Sequence, residues 1–186
     1  MSKFTKAIKN LYYVLFPPDS VEVFKKMGVK IGKNVHISNH GVIIDWSHSW
    51  LVNIGDNVRI APNVHILTHD GIMKNYVNYS KIALVEIKNN ALLGAGSLIL
   101  PGVTIGENSV IGAGSVVIKD IPDNCIAAGN PAKVICSLDE YIKKQKLFIH
   151  DENCFDESYT LRGKITEEKK KEMIKVLEKH KIGFVR

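Results

Sequence analysis

The 186-residue chain has only three cysteines and no long hydrophobic run. Cys125, Cys136 and Cys154 form no CxxC pair and no metal-type spacing, which is typical of reduced thiols. No apolar stretch reaches the roughly 20 residues that a membrane span needs, and no small-residue cleavage site follows residues 1–16. These absences favour a cytoplasmic protein without stable membrane insertion. A weak interfacial helix over residues 4–16 is the alternative, because that segment mixes lysines with aromatics.

The sequence also lacks a nucleic-acid signature, although 25 basic residues against 19 acidic ones give a net charge of +6. The basic residues are dispersed in short runs such as Lys25-Lys26 and Lys143-Lys144, without the aromatic-basic motif of an RNA-binding fold. We therefore expect no nucleic-acid partner. Solvated faces explain the charge, and a small anionic ligand that carries phosphates fits it equally well.

What the sequence has is an aliphatic residue at every sixth position over three stretches. This period matches neither the 3.6 residues of a helix nor the alternation of a strand, so each aliphatic is predicted to be the inward residue of a short repeated unit. The series comprises Ile31, Ile37 and Ile43, then Ile54, Ile60, Ile66 and Ile72, then Ile87, Leu93, Ile99, Ile105, Ile111 and Val117. The pattern predicts an all-β solenoid in which three units form one triangular coil.

Two breaks interrupt this repeat. From Ile43 to Ile54 the spacing is eleven where twelve is expected, which indicates one missing residue within 45–50. Residues 71–84 are too irregular for a coil and are predicted to form a loop expelled from the solenoid. Long loops inside compact folds are usually functional, so this loop marks the region to search for a site.

Helix signals flank the repeat. Gly28 ends a helix predicted at about 21–27, Ser137 and Glu140 have the capping-box spacing of a helix to about 147, and Thr166 opens a helix at about 167–180. We therefore expect a helical cap over 1–30, a β-helix over 31–136 with the expelled loop 71–84, and a helical extension over 137–186.

His69 is the first candidate for chemistry, because it stands at a predicted corner just before the expelled loop. An unperturbed histidine titrates near about pH 6.5 and can accept a proton from a hydroxyl or an amine at neutral pH. Either Asp70 or Asp45, from the preceding coil, is expected to fix the His69 tautomer. The alternative is a surface histidine without a role.

Asp45 and His48 lie in the first irregular corner, about one coil from His69, and Trp46 and Trp50 flank them. Aromatic rings beside polar groups suit a sugar, whose C–H face stacks and whose hydroxyls need directional partners. We expect the corner to bind a ligand, with Asp45 either orienting His69 or, as we favour, holding the acceptor. The alternative is that both tryptophans pack under the N-terminal helices.

Other histidines raise a metal alternative to the proton-transfer role of His69. They are His36, His40, His48 and His65. Zinc needs three or four convergent ligands with supporting hydrogen bonds, and nothing in the sequence requires that arrangement. We therefore expect no metal.

Two small-residue segments, Gly94-Ala95-Gly96 and Gly112-Ala113-Gly114, lie eighteen residues apart and are predicted to stack on adjacent coils. Small side chains there leave the backbone accessible to a long, thin ligand that lies along the solenoid. Lys119 and Lys133 lie at the end of this track, where they can pair with phosphates.

At this point the chain resembles the hexapeptide-repeat acyltransferases, most closely the sugar and polysaccharide O-acetyltransferases of the maltose, galactoside, capsule and O-antigen types. The resemblance rests on residues 99–106, 110–117 and 128–135, the last of which contains Asn130-Pro131-Ala132-Lys133. It implies a left-handed parallel β-helix with short N-terminal and C-terminal helices, a homotrimer with active sites between subunits, and acetyl-CoA as the donor.

The resemblance also implies roles for individual residues. His69 falls where the family carries its catalytic histidine, and Asn39 and Asp45 lie near positions that meet the acceptor sugar in the galactoside branch; we group His48 with them. The implied CoA contacts are Ala95, Ala113, Ile118, Lys119 and Lys133. The corner that contains Asp45 departs from the galactoside pattern, which leaves the acceptor open.

The leading hypothesis is an acetyl-CoA-dependent O-acetyltransferase of a sugar or glycan precursor, with direct transfer in a ternary complex and His69 as general base. An N-acetyltransferase of an amino-sugar nucleotide is the first alternative, since the same base and donor serve an amine. A metal-dependent protein of the carbonic anhydrase type and a purely structural solenoid are the others.

Overall fold

The computed structural model describes residues 20–186, which form two compact units, one that ends at Asp139 and one that comprises Glu140–Arg186. The interfacial segment predicted at residues 4–16 lies outside the described residues. Among residues 20–186, no helix has both the length and the apolarity needed to cross a bilayer.

The first unit consists of helix α1 (Ser20–Lys26) and three sheets that the chain visits in rotation. The first sheet comprises β1 (Lys30–Ile31), β4 (Val52–Ile54), β9 (Val85–Ile87) and β12 (Thr104–Ile105). The second comprises β2 (His36–Ile37), β5 (Arg59–Ile60), β10 (Leu92–Leu93), β13 (Val110–Ile111), β15 (Cys125–Gly129) and β16 (Ala132–Ser137). The third comprises β3 (Ile43–Ile44), β6 (His65–Ile66), β11 (Leu98–Ile99) and β14 (Val116–Val117).

Pairing within these sheets is parallel, except that β16 turns back against β15. Leu93 pairs with Ile111, and Ile99 pairs with Val117. Within each pair, the two residues are eighteen positions apart in the sequence, which is the predicted length of one coil. The first unit is therefore a parallel β-helix.

The core of this unit is the stack of aliphatic side chains inside the coils. Ile60, Leu93 and Ile111 follow one another in the second sheet and are buried. Burying such a side chain contributes about 1.5–3 kcal/mol. Because each coil must place its inward residues on those of the next, extra residues can be accommodated only at the corners.

Three corners join the sheets, and each is named here by a residue type that it contains. The asparagine corner, from the first sheet to the second, contains Asn34, Asn57, Asn90, Asn108 and Asn124. The alanine corner, from the second sheet to the third, comprises residues 38–42, 61–64, 94–97 and 112–115. The histidine corner, from the third sheet to the first, comprises residues 45–51, 67–84, 100–103 and 118–120.

The asparagine corner aligns successive coils through a side-chain ladder. Its five asparagines have φ between 53° and 59°, in the left-handed region that asparagine enters more readily than most residues. The side-chain amide of each of the first four donates to the side-chain oxygen of the next asparagine at 2.8–3.3 Å. The ladder thus satisfies the asparagine side-chain amides, which would otherwise lack partners where the coils stack.

The register of the first coil differs from the predicted one. Ile44, not Ile43, pairs with Ile66; Ile44 is 1% exposed, whereas Ile43 is 41% exposed. The step from Ile37 to Ile44 contains one extra residue, in a turn where Gly41 has a φ of +68°. Because side chains alternate along a strand, this shift by one residue turns Ile43 outward.

Two other predictions about the repeat are wrong. The step from Ile44 to Ile54 is ten residues where six would continue the coil, so this corner carries extra residues and none is missing. Ile72 is not an inward residue, since it is 76% exposed. It lies in a hairpin of β7 (His69–Asp70) and β8 (Lys81–Ile82), with the short helix α2 (Lys74–Val77) between them. The expelled loop is therefore an ordered hairpin.

The second unit begins within helix α3 (Leu138–Lys146) and contains helix α4 (Glu167–His180) and the parallel pair β17 (Cys154–Phe155) and β18 (Phe184–Val185). Thr166 caps α4 by accepting a hydrogen bond from the Lys169 N–H at 3.4 Å. The buried Asn153 side chain donates to the carbonyls of Phe148 and Ile182. This amide joins two distant segments of the unit.

The revised register predicts unequal effects of truncating two neighbouring isoleucines. Ile44→Ala should lower the free energy of unfolding by about 2–5 kcal/mol, because it leaves a cavity in the core. The matched control Ile43→Ala should lower it by less than about 1 kcal/mol. Denaturant unfolding at one protein concentration measures both, and the reverse order would restore the six-residue register.

Candidate active site

The site lies at the histidine corner, where the hairpin leaves the second coil. Asp70 Oδ1 accepts a hydrogen bond from the Ile72 N–H at 2.8 Å and so starts the turn, and the Ala83 N–H donates to the Thr68 carbonyl at 2.9 Å and closes the hairpin base. His69 follows Thr68 directly and is the first residue of β7. The local sequence thus holds His69 at the point where the chain leaves the solenoid.

Asp45 of the first coil lies against this point. Its backbone N–H donates to the Ile66 carbonyl at 2.9 Å, which continues the pairing of β3 with β6. His69 Nδ1 forms a short hydrogen bond with Asp45 Oδ2. The same oxygen accepts from the Thr68 N–H at 3.0 Å and from Thr68 Oγ1 at 2.8 Å, while Asp45 Oδ1 accepts from the Ser47 N–H at 3.0 Å.

These contacts determine the charge of Asp45. Burial by itself would raise the pKa of this carboxyl, but the hydrogen bonds from His69, Thr68 and Ser47 outweigh it and lower the pKa from 3.8 to about 2. The group is therefore ionised at neutral pH and can only accept hydrogen bonds. His69 Nδ1 must then carry a proton, and in the neutral imidazole the lone pair is on Nε2. The His69 side chain is 41% exposed, so a substrate can reach the ring.

Asp45 forms a hydrogen bond with His69, and its burial does not fit the favoured expectation that it holds the acceptor. The residue is only 4% exposed, and both carboxylate oxygens are engaged by protein donors. Asp70 does not share this role, because its carboxylate caps the hairpin turn at Ile72. Sequence reasoning placed Thr68 in the motif but missed its contribution. Its buried hydroxyl also lies 3.3 Å from the His48 carbonyl and so joins the two corner segments.

His48 lies beside the Asp45–His69 pair. Its ring centroid is 5.9 Å from that of His69 and 5.4 Å from that of Trp50, which it meets edge to face. His48 Nδ1 is buried and has no hydrogen-bond partner among the described residues. Ligand atoms of Asp45, His48 and His69 lie within 4.8 Å of one another.

The two tryptophans of this corner face solvent. Trp46 is 82% exposed and Trp50 is 55% exposed, so packing under the described helix α1 does not explain them. A short 3₁₀ turn over Ser49–Leu51 carries Trp50, and Ser49 Oγ donates to the Met27 carbonyl just after α1. The corner is therefore held by backbone and serine contacts, which leave the rings free.

Other predicted residues lie elsewhere in the chain. Asn39 is at the alanine corner, where its Oδ1 accepts from Ser20 Oγ at 2.6 Å and from the Ser20 N–H at 3.3 Å. The third sheet separates it from His69. The histidines outside the site are also dispersed: His36 is on β2, His40 in the alanine corner and His65 on β6.

The five predicted CoA residues divide between two corners. Ala95 and Ala113 stack at the alanine corner, since the Gly114 N–H donates to the Ala95 carbonyl at 2.8 Å, and both are exposed. Lys133 lies on β16 opposite Ala128, which continues this column. Ile118 and Lys119 follow β14 at the histidine corner.

The lowered pKa of Asp45 predicts an acid-sensitive contribution to stability. Between pH 3.8 and about 2 the unfolded chain binds this proton more strongly than the native protein, so stability rises with pH through that window. The shift corresponds to about 2 kcal/mol, fully present above pH 3.8. Unfolding of the wild type and Asp45→Asn should therefore differ clearly near about pH 6 and converge as the pH falls towards about 2. A pH-independent difference would contradict the ionised pair.

Comparison with known proteins places this site in a family. Residues 85–119 match the bacterial transferase hexapeptide (six repeats) model. The protein CapG of Staphylococcus aureus is 42% identical over 129 residues, which are 67% of this chain and 75% of CapG. Galactoside O-acetyltransferase of Escherichia coli K12 is 44% identical over 117 residues, which are 60% of this chain and 55% of that enzyme.

Solved structures agree with this relationship. A hexapeptide-repeat acetyltransferase from Vibrio cholerae, solved as a complex with acetyl-CoA, is 28% identical and has a TM-score of 0.54. The alignment covers 60% of this chain and 61% of that one. The chain thus spans three quarters of CapG but under two thirds of the other two relatives. The repeat and these neighbours imply that the parallel β-helix is left-handed. The chain belongs to the hexapeptide-repeat family of acyltransferases.

Proposed function

We propose that the protein is an acetyl-CoA-dependent O-acetyltransferase that modifies a hydroxyl of a sugar or glycan precursor, with His69 as general base. The observation that carries this proposal is the hydrogen bond between His69 Nδ1 and the ionised Asp45, which leaves Nε2 as a proton acceptor at an exposed corner. The acetyl-CoA complex of the Vibrio cholerae relative supports the donor. The galactoside O-acetyltransferase relative supports the acceptor class.

The mechanism follows from these protonation states. His69 Nε2 takes the proton of the acceptor hydroxyl as its oxygen attacks the thioester carbonyl of acetyl-CoA. The carbon–sulfur bond breaks, the acetyl group stays on the acceptor oxygen, and the departing CoA sulfur receives the proton from His69. Asp45 stabilises the imidazolium that forms between these steps. No acyl-enzyme is needed, and the three free cysteines lie outside the histidine corner.

The exposed rings beside His69 support a sugar acceptor. Trp46 and Trp50 offer apolar faces to the C–H surface of a pyranose, and His48 lies between Trp50 and the base. We assign acceptor contacts to these three residues. Asn39 is a weaker candidate, because its side-chain oxygen already accepts two hydrogen bonds from Ser20.

The positions of the donor residues support a homotrimer with shared sites. Ala95, Ala113 and Lys133 lie at the alanine corner, and the third sheet separates them from His69 of the same chain. A donor along that corner reaches a base only if a neighbouring subunit supplies it, because reacting atoms must approach to about 3–3.5 Å. Exposed apolar residues of the hairpin, such as Ile72 and Tyr76, suit contact with a neighbouring subunit.

We place the transferase function in residues 31–136 and its reaction in the cytoplasm. The described strands β2–β15 and all of the assigned site residues fall within that range. All three cysteines are free, which accords with a reducing compartment.

Removing the base should remove most turnover. His69→Ala is expected to lower kcat by about 10²–10⁴-fold with an unchanged circular dichroism spectrum, because His69 transfers a proton in the rate-determining chemistry. His36→Ala, an exposed histidine on β2, is the matched control and should retain wild-type kcat. A well-folded His69→Ala protein with wild-type kcat would eliminate His69 as the base.

The same assay distinguishes a hydroxyl acceptor from an amine acceptor. Sugars that have hydroxyls but no free amine should be acetylated by the wild type and not by His69→Ala. Turnover that requires an amino sugar would replace this proposal by the N-acetyltransferase alternative.

Bulk at the alanine corner should impair donor binding selectively. Ala113→Trp is expected to raise the KM for acetyl-CoA at least tenfold with little change in the acceptor KM, because the exposed Ala113 lies in the small-residue column. Glu107→Trp, at the asparagine corner of the same coil, is the control and should change neither KM. Equal effects of Ala113→Trp on both substrates would place the donor elsewhere.

Mixed assemblies locate the shared site. When His69→Ala and Ala113→Trp chains are refolded together, some sites should combine a wild-type histidine corner with a wild-type alanine corner from another chain. Activity above that of either variant alone is expected, and no recovery would contradict a site between subunits.

A further inference from the structure

We propose that Asp45, His48 and His69 bind one divalent transition-metal ion such as Zn²⁺, and that this ion blocks His69 from acting as a base. The ligand atoms of these three residues lie within 4.8 Å of one another, close enough to converge on one ion after small movements. They come from two successive coils of the β-helix. The half of the proposal that concerns inhibition rests on the proposed function, whereas metal binding does not.

The types of ligand atom determine which metal ions the site can bind. Two imidazoles and one carboxylate suit Zn²⁺, Co²⁺ or Ni²⁺, and three protein ligands leave a position for water or another small ligand. Mg²⁺ and Ca²⁺ are disfavoured because they prefer oxygen ligands. The site should therefore discriminate between these two groups of cations.

His48 provides the independent observation that a ligand belongs here. Its Nδ1 is buried and has no hydrogen-bond partner among residues 20–186. A buried polar atom without a partner is destabilising. A nitrogen of the same ring is one of the three ligand atoms that converge at this corner, which supports a bound ligand there. The ring is also held in place by its edge-to-face contact with Trp50 at 5.4 Å.

Asp45 is supported as a ligand by its neighbours. The Thr68 hydroxyl and N–H and the Ser47 N–H hold its carboxylate in one orientation. Such hydrogen bonds to a ligating group are typical of protein metal sites and strengthen binding by fixing the ligand. These contacts remain available when an ion replaces the proton between Asp45 and His69.

Metal binding removes the catalytic lone pair of His69 whichever nitrogen binds. If the ion takes Nε2, the lone pair that would accept the hydroxyl proton is occupied. If the ion takes Nδ1, the proton of Nδ1 moves to Nε2, and the neutral ring again has no free lone pair. Inhibition therefore follows from the ligand set alone.

Equilibrium dialysis of the full-length protein, without an affinity tag and after treatment with EDTA, tests the binding. The wild type should bind one Zn²⁺ per chain, and Co²⁺ should give visible absorption bands of a bound ion. His48→Phe keeps a ring against Trp50 but removes both nitrogens, so it should weaken Zn²⁺ binding by more than about tenfold. His36→Phe, the same change outside the cluster, should bind as the wild type does.

A second variant tests whether weaker Zn²⁺ binding by His48→Phe results from a folding defect. His48→Asn is smaller and polar, and it too should weaken binding, with a circular dichroism spectrum that matches the wild type. Wild-type affinity in a folded His48→Phe or His48→Asn protein, or Mg²⁺ binding equal to that of Zn²⁺, would overturn the site.

Acetyl transfer measured in a Zn²⁺ titration tests the inhibition. The wild type should lose activity over the range of free Zn²⁺ in which it binds the ion, and EDTA should restore it. Zn²⁺ binding without loss of activity, or activation by Zn²⁺, would overturn the blocking role. Failure of the proposed function appears differently, as absent acetyl transfer in the metal-free protein, while dialysis still reports the ion.

Discussion

The constraint on which the rest of the structure depends is the stacking of inward aliphatic residues from coil to coil. Leu93 must stack on Ile60 and beneath Ile111. Because their strands pair in parallel, the strands cannot change in length from one coil to the next. Any residue beyond the repeat is therefore accommodated at a corner. The fold thus keeps its core regular and concentrates variation at the corners.

The candidate active site is a consequence of this constraint. Extra residues between Ile44 and Ile54 bring the Asp45 segment over the following coil, and the hairpin after His69 leaves the same corner one coil later. The carboxylate of the first insertion then meets the imidazole of the second.

Buried polar chemistry at this corner gives the three residues different roles. Asp45 is buried and accepts hydrogen bonds from four protein donors, whereas the His69 side chain remains accessible. His48 is held between Trp50 and His69 with one nitrogen unsatisfied. In the two roles that we propose, the same arrangement supplies a base or binds a cation, and a bound cation prevents His69 from acting as the base.

The separation of the alanine corner from the histidine corner is the reason for which we propose an active site shared between subunits. A donor that lies along Ala95 and Ala113 is on a different edge of the prism from His69 of its own chain. The proposed transfer needs both within reach of one carbonyl carbon, so the proposed site is completed by two chains. The proposed trimer would then be a condition for catalysis.

The six-residue period by itself determined the solenoid, its eighteen-residue coil, the stacking of Gly94-Ala95-Gly96 on Gly112-Ala113-Gly114 and the corner position of His69, because these follow from local spacing. The same period misassigned Ile43 and Ile72 as inward residues. An aliphatic residue at the expected interval fits the pattern even when a preceding turn contains an extra residue. Only the tertiary structure decided that Ile44 faces the core, that Asp45 forms a hydrogen bond with His69 and that one nitrogen of His48 has no partner among the described residues. Those facts depend on contacts between coils. One extra residue in the turn at Gly41 reverses which of the following side chains are buried, and the local sequence pattern does not reveal this shift.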